Sequence, residues 1–436
     1  MLISPNKNQA DDSGTNVVPI VAPPAQGGMP AIPEGDAVAE MLLHCFRRTP
    51  LLLVPAAPGA GKTHRSVIAA AHLAAYGKMK VLVTANTNGQ AREFADRLAS
   101  TATDIDVTLL ASKASIDEHK EKSHERVNVR SSLKEIPKGH VVVSTAAKAC
   151  YFKKEMKADI MLIDEAWQVT YTTFLKLSVF ADTFMLVGDP GQIDPIVTVD
   201  VDQWRSSQIA PHLPAPVVLA NSRPDACHTI TLDTTRRLGA ETANLIAPLY
   251  PFGLSSLRLP TEITDADGTN GQPEIVRYVS PDSGGVSDPA IAATIAAIVD
   301  DSLTSCVKDS HGIRPISPAD IAVCVPHNSQ VSAIKSRVPK GVLVSTANSL
   351  QGLECPIVVV WDPLAGHAGC PDFNLNTGRL CVALSRHRTQ LRWVTTESVD
   401  IELAKALEAD PENAELDVNV EIRTTLNAAP AGNVIA

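Results

Sequence analysis

Residues 56–63, Ala-Ala-Pro-Gly-Ala-Gly-Lys-Thr, have the types and spacing of a phosphate-binding loop. They follow the apolar run 51–54 and open the helix-patterned stretch 64–76, and such a loop requires this order of strand, loop and helix. Glycines let successive backbone N–H groups face phosphates, Lys62 would reach the β and γ phosphates, and the Thr63 hydroxyl would hold Mg²⁺. We therefore predict ATP or GTP as a ligand, contacted by Pro58, Gly59, Ala60, Gly61, Lys62 and Thr63.

One position departs from this pattern, because Ala56 stands where the first glycine of such a loop is usual. If the position needs a positive φ, an alanine there costs about 1 kcal/mol, although its small side chain still lets the backbone approach a phosphate. An ordinary glycine-rich turn after a buried strand is the alternative interpretation of the segment.

Two acidic residues end the apolar run 160–163 further along the chain, namely Asp164 and Glu165. A phosphate-loop enzyme needs one carboxylate for Mg²⁺ and another for the attacking water. We therefore predict that Asp164 binds Mg²⁺ and that Glu165 is the general base. The next apolar run, 184–187, leads into Gly-Asp-Pro-Gly-Gln, where the Gln192 amide could sense a γ-phosphate.

Composition limits the classes of protein that fit. A chain of 436 residues, 44% of them apolar, can form two or three domains. It has no apolar run of about 18 residues and no signal-peptide layout, so we expect a soluble, cytoplasmic protein without membrane contact. A net charge of −10 does not suggest a general nucleic-acid binder, but an interior groove could still be locally positive.

Strand-like and helix-like segments alternate along most of the chain, which predicts an α/β fold with mostly parallel sheets flanked by helices. The Pro-rich residues 1–34 are expected to form a disordered leader. Two tandem domains would follow, at 35–212 and 213–400. Residues 401–436 are expected to form an acidic tail that keeps the protein soluble or recruits a partner.

The order and spacing of these blocks resemble a superfamily-1 helicase from the phosphate loop to about residue 395. The Asp-Glu-Ala-Trp-Gln run at 164–168 is similar to that of the Upf-like group within this superfamily. The resemblance implies two RecA-like domains that bind ATP and Mg²⁺ in the cleft between them. A single strand of DNA or RNA would cross both domains.

The resemblance also assigns residues to the nucleotide. The segment 232–238 looks like motif IV and places Arg237 at the γ-phosphate, with Arg236 as a second candidate. The segment 379–388 looks like motif VI, and its Arg386 matches the arginine finger. In 346–354, similar to motif V, Gly352 and Glu354 would lie toward the nucleotide.

Four further residues are implied for the nucleic acid. The segment 81–88 resembles motif Ia, which makes Thr87 and Asn88 candidate phosphate contacts. In the motif V segment, Thr346 and Ser349 would face the same strand.

The sequence thus predicts a nucleic-acid-dependent ATPase of superfamily-1 helicase type, which couples ATP hydrolysis to translocation on, or unwinding of, DNA or RNA. One alternative is an ATP-driven translocase that unwinds nothing and works in a larger complex. Another is a nucleotide-gated switch that binds a protein partner, for which the chain termini are the candidate surface.

Overall fold

The computed structural model describes residues 28–432 apart from residues 196, 198, 199 and 205. The expected leader therefore lies, up to residue 27, outside the described part of the chain. Within the described part, no helix is both long enough and apolar enough to cross a membrane.

A parallel sheet of eight strands forms the first half of the molecule, in the order β4-β3-β5-β2-β6-β7-β1-β8. Its strands are β1 (Leu51–Pro55), β2 (Val81–Ala85), β3 (Asp106–Leu110), β4 (Val127–Arg130), β5 (His140–Thr145), β6 (Ile160–Asp164), β7 (Phe184–Gly188) and β8 (Cys227–Thr229). The central strands are continuous apolar runs because helices cover both faces of the sheet. Because β8 belongs to this sheet, the chain leaves the sheet well after residue 212, where the first domain was expected to end.

A second parallel sheet, of five strands in the order β12-β18-β17-β15-β16, forms the other half. A two-stranded pair, β9 with β10, and a three-stranded antiparallel sheet, β11-β13-β14, accompany it. The strands are β9 (Thr234–Thr235), β10 (Ser255–Ser256), β11 (Glu262–Thr264), β12 (Ile275–Val279), β13 (Cys306–Asp309), β14 (Gly312–Pro315), β15 (Ile321–Val325), β16 (Leu343–Thr346), β17 (Cys355–Trp361) and β18 (His387–Thr395). Two RecA-like α/β sheets in tandem confirm the predicted fold class.

Helices connect the strands and cover the sheets. They are α1 (Ala37–Phe46), α2 (Lys62–Ala75), α3 (Asn88–Thr101), α4 (Ile116–Lys122), α5 (Ala146–Ala149), α6 (Tyr171–Leu177), α7 (Ala215–Ser222), α8 (Ala240–Ile246), α9 (Pro289–Ser302), α10 (Asn328–Lys335), α11 (Ala347–Leu350), α12 (Asp372–Leu375), α13 (Thr377–Leu384), α14 (Ser398–Ala409) and α15 (Ala414–Asn427). Alternate residues of β1 serve the two faces: Leu52 and Val54 pack with α2 and α3, whereas Leu51 and Leu53 pack with α6 and α7.

The region expected to be an acidic tail instead contains α14 and α15, which pack against the second sheet. Leu416, Ile422 and Leu426 of α15 are buried, and their spacing places them on one face of the helix. The acidic residues of this region lie mainly on the outer faces. The few apolar residues on one face of α15 are therefore enough to pack it against the sheet, although the composition of the region is acidic.

Candidate active site

The phosphate-loop segment joins β1 to α2, as predicted. Gly59 and Gly61 have φ of 75° and 77°, a left-handed conformation that favours glycine. Ala56 does not adopt a positive φ; its N–H donates to the Gly188 carbonyl of β7 at 2.9 Å. The strain considered for Ala56 is therefore absent, because this residue simply extends the pairing of β1.

Segment 232–237 packs directly against this loop. The Thr235 hydroxyl donates to the Pro58 carbonyl at 2.7 Å, and the Arg236 N–H donates to the Gly59 carbonyl at 3.1 Å. A Cβ atom on Gly59 would lie 2.4 Å from the Cβ of Arg237, so this glycine also makes room for the segment. These contacts attach the loop to segment 232–237, whose Leu232 continues the pairing along β1. Sequence reasoning gave Thr235 no role.

A half-buried ion pair also holds the loop. Arg65, in the first turn of α2, donates from Nε and Nη2 to the Asp36 carboxylate at 3.0 and 2.9 Å. Its Nη1 donates to the carbonyl of Ala60. Asp36 in turn caps α1 by accepting a hydrogen bond from the Val38 N–H at 3.0 Å. The pair thus ties the loop to the N-terminal helix, a contact that sequence analysis did not identify.

The two acidic residues lie at the carboxyl end of β6. Asp164 is buried, and its Oδ1 has no hydrogen-bond partner among the described residues. Burial, followed by the charge of Glu165, raises the pKa of Asp164 to about 7, while the charge of Lys62 opposes this shift. Glu165 has a φ of 54°, a strained value for a residue with a side chain. A buried carboxylate oxygen without a partner is a fitting ligand for a divalent cation.

Asp189, just after β7, is the centre of a hydrogen-bond network that sequence analysis missed. Its Oδ2 lies 3.6 Å from the Lys62 Nζ and accepts a 2.6 Å hydrogen bond from the Gln192 Nε2. The Gln192 Oε1 accepts a 3.1 Å hydrogen bond from the Gln351 Nε2, which belongs to the second half of the molecule. Gln192 therefore links the two halves beside the phosphate loop. The Gly-Asp-x-x-Gln spacing pointed to this site, but only its glutamine received a role.

Two arginines enter the same region from the second half. Arg237 donates from Nη1 to the Ser385 carbonyl at 3.4 Å, and Arg386 donates from Nη2 to the Ser385 hydroxyl at 2.9 Å. The Arg237 Nε lies 2.6 Å from the Glu354 Oε2. Burial, followed by the charge of Arg386, lowers the pKa of Arg237. Two neighbouring cations, one buried and one half-buried, with one carboxylate at Arg237, form an arrangement suited to an additional anion.

One cleft of about 1050 Å³ between the two halves collects most of the predicted nucleotide contacts. Its lining includes Pro58, Gly59, Gly61, Lys62, Thr63, Asp164, Glu165, Gln192, Arg237, Gly352, Glu354 and Arg386. Ala60 is buried behind this surface. Eight lysines and arginines and five acidic residues line the cleft, so it is locally positive in a chain of net charge −10. This charge suits a polyphosphate.

The four residues implied for nucleic acid lie outside this cleft. Thr87 and Asn88 follow β2, and the Thr87 hydroxyl caps α3 by accepting a hydrogen bond from the Gln90 N–H at 3.2 Å. Thr346 ends β16, and Thr346 and Ser349 line a separate cavity of about 350 Å³ in the second half. Asn88 and Ser349 are exposed. Each pair therefore follows the carboxyl end of a parallel strand, one pair in each sheet.

Comparison with known proteins finds similarity to one family model over part of the chain and to one curated helicase/nuclease. Residues 43–198 match the family model described as an AAA domain. The DNA replication ATP-dependent helicase/nuclease JHS1 of Arabidopsis thaliana is 24% identical over 331 residues. That match covers 71% of this chain and 24% of the plant protein, so the chain spans about a quarter of that relative's length.

Similar solved structures include three viral helicase structures. The PRRSV helicase has 16% identity and a TM-score of 0.43, with 82% of this chain and 55% of that chain covered. Arterivirus nonstructural protein 10, a helicase, has 13% identity and a TM-score of 0.45, with 82% and 63% covered. The structure of its complex with DNA has 13% identity and a TM-score of 0.45, and the match covers 83% of this chain and 65% of that chain. The chain thus spans just over half to about two thirds of these structures.

Proposed function

We propose that this chain is a nucleic-acid-dependent ATPase of superfamily-1 helicase type, which uses ATP hydrolysis to move along, or to unwind, DNA or RNA. One observation carries the proposal: a single cleft gathers the loop lysine and two carboxylates from the first half of the molecule and two arginines from the second half. Phosphoryl transfer depends on positioned cations and a base around the γ-phosphate, and these residue types supply both. The Asp-Glu-Ala-x-Gln run favours the Upf-like group.

The loop residues and Lys62 would bind the phosphates of ATP. Lys62 lies 3.6 Å from Asp189, a separation longer than that of a tight ion pair, so the ammonium can turn to the phosphates. Thr63 and Asp164 would hold Mg²⁺, which neutralises charge on the phosphate oxygens. The unpartnered Oδ1 of Asp164 and the presence of Thr63 in the same cleft support this assignment.

Glu165 would accept the proton of the attacking water, and Gln192 would orient that water against the γ-phosphate. Arg237 and Arg386 would stabilise the charge that develops on the transferring group. Because both arginines belong to the second half, the nucleotide would hold the two halves together until hydrolysis. Loss of the γ-phosphate would then favour a more open state, which is a population shift driven by ligand affinity.

A single strand would cross the two halves through Thr87 and Asn88 on one side and Thr346 and Ser349 on the other. Short polar side chains at strand ends can contact phosphates without reading bases. The plant relative is named as a DNA replication helicase, so single-stranded DNA is the first polymer to test.

We expect ATP hydrolysis in the presence of Mg²⁺ to be strongly stimulated by single-stranded DNA or RNA. Lys62→Ala and Glu165→Gln should abolish the stimulated rate, since a general base alone contributes about 10²- to 10⁴-fold. Lys122→Ala, which breaks only an exposed pair with Glu118, is the matched control. Steady-state phosphate release measures all four proteins.

The same assay separates the alternatives. Hydrolysis that ignores both polymers would contradict the helicase-type proposal and favour a nucleotide-gated switch with a protein partner. Stimulated hydrolysis without strand displacement of a partial duplex would favour a translocase that does not unwind.

Arg65→Ala should weaken binding of MgATP by about tenfold, because the phosphate loop loses the cation that ties Ala60 to Asp36. The turnover rate at saturating ATP should change much less, since Arg65 is absent from the residues that line the cleft. Titration with a fluorescent ATP analogue measures the affinity. Unchanged affinity in a folded Arg65→Ala protein would show that the loop keeps its shape without this tie.

A further inference from the structure

Tyr250 reaches from the second half of the molecule into the network around the phosphate loop. Its ring is packed in the core formed with the second sheet, among residues such as Leu245, Ile246 and Leu380. Its hydroxyl donates to the Asp189 Oδ1 at 2.9 Å. Asp189 is the carboxylate whose other oxygen faces Lys62, so one buried hydroxyl connects the second core to the loop lysine.

The hydrogen-bond pattern fixes the direction of this contact. The Tyr250 oxygen also lies 3.2 Å from the Cys381 Sγ. Burial raises the pKa of Tyr250 well above its usual range and that of Cys381 to about 12, so both groups keep their protons. The Tyr250 hydroxyl can therefore donate to Asp189 while it accepts from the Cys381 thiol. Cys381 lies on α13, the helix that precedes Arg386.

The backbone around Asp189 is shaped to admit the tyrosine ring. A Cβ atom on Gly191 would lie 2.5 Å from the Tyr250 Cζ, closer than any side chain tolerates. The Gly191 N–H also donates to the Asp189 Oδ1, at 3.0 Å. Both oxygens of the carboxylate are thus engaged, Oδ1 by Gly191 and Tyr250 and Oδ2 by Gln192.

We propose that Tyr250 is a positioning residue for the phosphate loop, because it holds the Asp189 carboxylate in an orientation that leaves Lys62 available to the nucleotide. With Oδ1 held by the second half, Asp189 cannot turn to form a tight ion pair with Lys62. Without the hydroxyl, the Asp189 carboxylate accepts one hydrogen bond fewer and turns more freely. The 3.6 Å separation between Asp189 and Lys62 then shortens. Incoming phosphates must then break that pair. The inference rests on the proposed function, since it assigns Lys62 to phosphate binding.

The test is Tyr250→Phe, which keeps the ring against Gly191 and removes one hydroxyl. The matched control is Tyr278→Phe, since Tyr278 is also buried but lies on β12, away from the cleft. Two readouts do not require hydrolysis. One is the affinity for a fluorescent MgATP analogue, and the other is the rate at which acetic anhydride labels Lys62 in nucleotide-free protein, followed by mass spectrometry.

Tyr250→Phe should weaken analogue binding by about tenfold and slow Lys62 labelling about threefold, whereas Tyr278→Phe should leave both within twofold. In an Asp189→Asn background the effect of Tyr250→Phe should vanish, because the carboxylate through which it acts is gone. Gly191→Ala, which displaces the ring, should reproduce the loss if Tyr250→Phe does not fold.

The outcomes separate this inference from the function on which it rests. Wild-type protein that hydrolyses ATP, together with a folded Tyr250→Phe variant that binds and labels normally, would overturn the inference and leave the proposed function intact. If wild-type protein does not hydrolyse ATP, the proposed function fails, and the labelling rate of Lys62 still decides whether Tyr250 controls the lysine.

Discussion

Arg386→Ala should reduce the maximal rate of polymer-stimulated ATP hydrolysis by about a thousandfold or more, with a much smaller effect on ATP binding. An arginine that stabilises the transferring phosphoryl group contributes about 10³- to 10⁵-fold in P-loop enzymes. Arg386 is nearly buried, lies in the nucleotide cleft and is anchored through the Ser385 hydroxyl. Its Nε has no hydrogen-bond partner among the described residues, which leaves a donor for a phosphate oxygen.

The conservative variant sharpens this prediction. Arg386→Lys keeps the charge but loses the planar fork of donors, so it should restore little of the rate. Arg337→Ala is the matched control and should retain full activity, because Arg337 lies exposed just after α10 and its side chain donates to the Ala333 carbonyl of that helix. Steady-state turnover and analogue binding are measured on the same preparations. A folded Arg386→Ala protein with turnover within tenfold of wild type would remove this arginine from the mechanism.

Local sequence order was enough to select the candidate residues in the first half of the site. The phosphate loop and the acidic pair each lie within a few residues of the strand that positions them, so one contiguous segment contains both the residue and its structural context. The parallel sheets were also predictable, since alternating apolar runs and helical patterns leave few arrangements that bury both faces. The prediction was incomplete wherever a residue depends on a distant partner.

Three contacts illustrate that limit. The Arg65 side chain finds Asp36 across 29 residues, the Tyr250 hydroxyl finds Asp189 across 61, and the Gln351 amide finds Gln192 across 159. None of these pairs has a fixed spacing that a pattern could detect, because tertiary packing brings their members together: α1 against α2 for the first pair, and one half against the other for the last two. The positions of the candidate catalytic groups therefore depend on the folded chain, whereas their selection as candidates needed only the sequence.

The C-terminal region shows how composition can mislead. Its excess of acidic residues suggested a solvated tail, yet Arg423 of α15 is buried against Asp362 at the end of β17. The Arg423 Nη2 donates to the Asp362 Oδ1 at 2.6 Å, and side-chain exposure is 3% and 0%. Asp362 also accepts hydrogen bonds from the Thr395 hydroxyl at 2.8 Å and the Leu364 N–H at 3.0 Å. A buried ion pair therefore adds to the apolar contacts that attach the last helix to the second sheet.

Arg423→Ala should lower the free energy of unfolding of the second half by about 3–5 kcal/mol, because it leaves the Asp362 charge buried without its partner. Removing both charges, in Arg423→Met with Asp362→Asn, should recover most of this loss. Lys405→Ala breaks an exposed pair with Glu402, where the lysine side chain is 66% exposed, and should change stability by less than about 0.5 kcal/mol.

Urea denaturation followed by tryptophan fluorescence measures these differences, since Trp361 and Trp393 are both buried in the second half. Trp393 is a direct reporter, because its ring centroid lies 5.7 Å from the Arg423 guanidinium carbon. If Arg423→Ala unfolded at the same urea concentration as Lys405→Ala, α15 would contribute little to the stability of the second half. If Arg423→Ala alone unfolded at a lower urea concentration, the last helix would instead be part of the core of the second half. Deletion of residues 414–432 should then destabilise this half, which supplies Arg237 and Arg386.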